Sequence, residues 1–64
     1  MESENHLYNV MTQLTQEMKS AWRIEKHYII EAQSDGEQKL WERMLSEKKQ
    51  DIESLKEILK QSLS

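Results

Sequence analysis

The sequence predicts an all-α protein, a two-helix antiparallel hairpin, and three observations carry that reading. Proline is absent, the only glycine is Gly36 near mid-chain, and apolar residues on either side of it recur at alternating three- and four-residue steps. Glu, Lys, Gln, Leu, Met and Ala dominate both halves, and these are the residues that cost least to hold in a helix. The chain of 64 residues is read as one domain: helix 1 over about residues 4–33, a turn at about 34–36 and helix 2 over about 36–62.

Helix 1 opens with Ser3 as a candidate N-cap and Glu4 in the first turn, where the helix dipole favours a negative charge. Its stripe runs Leu7, Met11, Leu14, Met18, Ala21, Glu25, Tyr28 and Ala32, widened by Val10, Trp22 and Ile29. Trp22, Ile24, Tyr28 and Ile30 also fit a period of two, the signature of a strand. A strand needs a partner and the rest of the chain offers none, so the longer helical pattern prevails. The turn falls at Ser34-Asp35-Gly36. Ser34 followed by Glu37 is a capping-box spacing, which starts helix 2 near Asp35. Helix 2 then carries Trp41, Leu45, Lys48, Ile52, Leu55 and Leu59 on one line, with Leu40, Met44, Asp51 and Ile58 beside it, while Lys56 and Lys60 suit its C-terminal end.

Each stripe is wider than one neighbouring helix can cover. The expected core and interface therefore comprise Leu7, Met11, Leu14, Met18, Ala21, Trp22, Tyr28, Trp41, Leu45, Ile52, Leu55 and Leu59, closed by a homodimer that packs as a four-helix bundle with coiled-coil-like crossing, or by the helices of another protein. Both tryptophans are expected to be buried near the turn. A domain this small obtains only about 3–5 kcal/mol from a single core, which is a further reason to expect self-association.

Nine basic residues against twelve acidic ones leave a net charge of −3, which gives no general attraction to nucleic acid. The exception is local: Lys19, Arg23 and Lys26 form a short basic strip on helix 1, on which a small nucleic-acid-associated regulator could be built. Such strips are ordinarily solvated faces, and nucleic acid is not the expected partner. Without cysteine there is neither a disulfide nor a thiolate zinc site. The opening MESENHLYN lacks the features of a signal peptide, and the longest apolar run, Tyr28-Ile29-Ile30, is too short for a membrane span. A cytoplasmic protein without membrane association is expected.

Folding the chain at Asp35 brings residues whose numbers add to about 70 to the same height. Glu25, Lys48 and Asp51 then form a candidate polar layer, with the small Ala21 leaving room for the lysine stem. The preferred reading is an ion pair between Glu25 and Lys48 that fixes register. The alternative is a carboxylate metal site drawn from Glu25, Asp51, Glu47 and Glu17, in which a nearby lysine would compete with the cation. His6 lies near a fraying end and His27 between Arg23 and Glu31 on the solvated side. No serine has a histidine at a convincing partner position, so no catalytic residues, no resident cofactor and no enzymatic activity are expected. Met11, Met18 and Met44 serve as core filling or as an adaptable binding surface.

The run DGEQKLWERMLSEKKQDIESLKEIL resembles the second helix of a ferritin-like, rubrerythrin-type helix pair, whose middle reads E-x-x-H-I. Aligned on Ile52, the family's iron-binding Glu and His fall on Lys48 and Asp51. The first helix of such a pair reads E-x-x-A-x-x-x-Y-x-x-x-A; laid on Tyr28 and Ala32, it puts the iron-binding glutamate at Ala21. The resemblance implies a half-bundle whose iron ligands are not retained, with the Lys48 ammonium in the place of the cation.

Overall fold

The computed structural model describes residues 2–63, with side chains from Glu4 to Leu63. The side chain of Ser3, the expected first cap, lies outside the described residues. Helix α1 spans Glu2–Arg23 and runs on without a break into a π-helical segment, Ile24–Tyr28; α2 spans Asp35–Leu63. The two helices pack as a hairpin measuring 47 × 14 × 14 Å.

Two contacts fix the register. At the open end the His6 ring Nε2 lies 3.0 Å from Ser62 Oγ, and at the turn end the Tyr28 and Trp41 rings pack with centroids 5.1 Å apart. Both pairs obey the height rule that folding at Asp35 implies. His6, expected at a fraying end, is instead tied to the other terminus.

The connection is built around Glu37. Its backbone N–H donates to Ser34 Oγ at 3.1 Å, as the capping box requires, but its carboxylate takes the N–H of Gln33 at 3.0 Å rather than that of Ser34. The other carboxylate oxygen accepts from the Trp41 indole at 3.3 Å, so one side chain caps α2 and anchors the aromatic pair. Gly36 belongs to the first turn of α2 and has no positive φ. The turn therefore rests on serine and glutamate chemistry and makes no use of glycine's conformational freedom.

Helix 1 ends earlier than its sequence pattern suggests. Its last wide turn is closed by the Ile29 N–H donating to Ile24 O at 3.0 Å, five residues back, after which Glu31 N–H bonds His27 O and Ala32 N–H bonds Ile29 O. Residues 29–34 form the link. The widened turn admits one extra residue, which lets both Ile24 and Ile29 lean toward α2. Ile24 is the most buried side chain described, at 1% exposure, and Ile29 is half-buried. The stretch that fits both a strand and a helix is the one in which the helix unwinds into the wider π turn.

Candidate functional site

The seam between the helices follows Leu7, Val10, Leu14, Glu17, Ala21 and Ile24 on α1, all buried or half-buried. It meets Trp41, Leu45, Lys48, Ile52, Leu55 and Leu59, half-buried or buried as expected on α2. On α1 the steps run three-four-three, whereas the predicted stripe ran four-three-four. The two share Leu7, Leu14 and Ala21 and differ by one residue between them. Val10, Glu17 and Ile24 thus take the inner places expected for Met11, Met18 and Glu25.

That offset relocates the polar layer. Lys48 Nζ donates to Glu17 Oε2 at 2.9 Å, with the two side chains only 22% and 15% exposed. Glu25, expected opposite Lys48, is about half exposed and lies 3.7 Å from Lys26 and 3.5 Å from Lys49. Asp51, expected in the same layer, is exposed and lines a shallow groove with Gln13, Glu17, Ser54 and Leu55. The physical reason is that the lysine stem reaches toward the open end to the seam carboxylate, while Glu25 sits the next step round the helix from the buried Ile24, outside the seam. Of the candidate metal donors, Glu17 is held by Lys48, Glu47 lies 3.4 Å from Arg43, and Glu25 is shared between two lysines. Among the described residues no three His, Asp or Glu side chains converge as metal ligands would. His27 packs edge-on to Trp22 and lies 3.8 Å from Glu31, on the solvated side.

The residues displaced from the seam make a second stripe on α1. Tyr8 is 70% exposed, Met11 54%, Met18 49% and Trp22 55%; Met11, Met18 and Trp22 are three members of the expected apolar set, and in a single hairpin they face outward together with Tyr8. Trp22 in particular departs from its expected burial, while Trp41 is half-buried. Tyr28, also expected inside, remains 40% exposed against Trp41. Thr15 completes the line between the methionines; its hydroxyl donates to Met11 O at 2.9 Å, and it lines a groove with Tyr8 and Met11. Lys19 and Arg23 flank the upper part, and with Met18 and Trp22 they line an open groove of about 470 Å³. All four groove residues lie on one helix within six positions, so the groove is a dent between side chains on a continuous surface.

No helix of the described residues is long and apolar enough to cross a membrane. No family model, curated protein or solved structure matches the chain.

Proposed function

We propose that the chain is a non-enzymatic helical hairpin that associates with a second copy of itself into a four-helix bundle and serves as an assembly or adaptor module in the cytoplasm. The observation that carries this reading is the outer stripe of Tyr8, Met11, Met18 and Trp22, a contiguous band of large apolar side chains on one helix. Bands of that kind mark interaction surfaces more often than ordinary solvated faces. The position of the stripe supports association into a bundle. It is one residue on from the seam, about 100° round the helix, and a helix in a square bundle has its two neighbours at roughly that angle. Within the seam, Glu17 and Lys48 neutralise each other, which suits a pair that fixes register better than one that binds a ligand.

Mass action supplies the test. The thermal midpoint of the folded chain is expected to rise with protein concentration, and sedimentation equilibrium is expected to give twice the mass of the chain. A well-folded monomer at every concentration would overturn the proposal.

A further inference from the structure

We infer that the second copy docks antiparallel on α1 across a two-fold axis that passes by Thr15 at right angles to the helices, so that α1 covers α1 and α2 covers α2. This inference rests on the self-association proposed above and adds its geometry. The outer stripe is a chemical palindrome: Tyr8, Met11, Thr15, Met18, Trp22 reads aromatic, methionine, small, methionine, aromatic in either direction. A two-fold at Thr15 brings residues whose numbers add to about 30 to the same height: Tyr8 and Trp22 match, while Met11 and Met18 are offset by one residue, about 1.5 Å along the helix. Tyr8 then meets Trp22 of the second copy, each Met11 lies beside a Met18, and the smallest side chain stands where the helices approach closest. Large apolar groups cover large apolar groups along the whole line, as an isologous interface requires.

Charge chooses the same arrangement. Glu4 and Lys26, both exposed, extend the stripe at its two ends and come opposite each other across this axis. The Glu25–Lys49 contact at 3.5 Å shows which side of α2 borders the stripe. That side presents Glu42, Ser46, Lys49, Glu53 and Lys56, a polar row. An axis parallel to the helices would lay the apolar stripe on that polar row. The perpendicular axis instead stacks the polar row on its own copy. By the hairpin register its centre falls near Glu53, which puts Lys49 opposite Glu57. The two Glu53 meet near the axis, each already 3.5 Å from its own Lys56. Two aromatics and two methionines supply much of the area on α1, and the polar row on α2 extends the contact toward the roughly 800 Å² per partner of a standard interface.

The chain has no cysteine, so single cysteines can report the geometry directly. Glu4→Cys and Lys26→Cys chains are mixed at a concentration at which the unmodified protein sediments as a dimer, then oxidised gently. The expected product is the mixed disulfide, several-fold over either self-linked species, and Thr15→Cys alone is expected to self-link. Gln13→Cys, on the opposite side of α1, is expected to remain unlinked. A dimer by sedimentation that gives self-linked Glu4→Cys and Lys26→Cys chains, or links through Gln13→Cys, overturns the antiparallel two-fold and leaves self-association standing. A monomer by sedimentation overturns both.

Discussion

The two apolar stripes of α1 lie one residue apart in sequence and differ in what they are made of. The inner one, Leu7, Val10, Leu14, Ala21 and Ile24, is aliphatic and interrupted by a single carboxylate, Glu17, which has its own lysine. The outer one, Tyr8, Met11, Met18 and Trp22, is aromatic and thioether. Branched and small aliphatics have few rotamers and let two helices approach closely, which suits a permanent seam. Methionine and large aromatics offer area and adaptability, which suit a surface that is formed by association and can be separated again. One helix can hold both because a single 100° step separates the side packed in the hairpin seam from the side left exposed in a single hairpin.

The comparison is broken most severely at Ile24. Its replacement by alanine empties the best-buried place in the hairpin, and Ile→Ala changes in cores cost about 2–5 kcal/mol. Against the small reserve of a domain this size, Ile24→Ala is expected to leave most of the chain unfolded, measured by circular dichroism with and without urea. A loss no greater than that of Met18→Ala at concentrations where the chain is monomeric would mean that the two stripes are not different in kind.

A smaller effect sharpens the contrast between the two ion pairs. Glu17 and Lys48 are mostly buried, so Glu17→Leu or Lys48→Leu alone strands a charge and is expected to cost about 1–3 kcal/mol, less than a fully buried pair because the site retains some contact with water. The double change, Glu17→Leu with Lys48→Leu, is expected to be neutral or stabilising. At the exposed pair, Glu25→Gln and Lys49→Gln are expected to change monomer stability by less than about 0.5 kcal/mol and to be additive. Urea melts of both cycles at monomeric concentration give the two coupling terms. Equal couplings would place Glu25 and Glu17 in the same environment.

The hairpin was legible in the sequence because its signals are local. Ser34 and Glu37 specify the start of α2, and the α2 seam from Trp41 to Leu59 keeps its four-three spacing throughout, with Lys48 as its one polar member. The α1 seam was legible only at every second position. Met11 and Val10, Met18 and Glu17, and Glu25 and Ile24 are adjacent pairs, each of which gives an acceptable helical stripe with Leu7, Leu14 and Ala21. Hydrophobicity alone favours methionine over glutamate at 17/18, yet the lysine on the facing helix makes Glu17 the better inner residue. The clue was Lys48 itself, a lysine in the middle of an apolar line that needed a carboxylate partner. The widened turn at Ile24–Tyr28 left a weaker mark, the alternating pattern of large residues, because backbone hydrogen bonds five residues apart have no side-chain code.

The fluorescence of Trp22, read against protein concentration, tests the outer stripe most directly. Trp41 is held within one hairpin by Tyr28 and Glu37, so its contribution is fixed, and any shift with concentration reports Trp22. Emission is expected to move to shorter wavelength as concentration rises, in step with the doubling of sedimenting mass, and to stay in place in Trp22→Phe. Emission that does not shift while the mass doubles would put the interface elsewhere on the hairpin and contradict the assignment of the outer stripe.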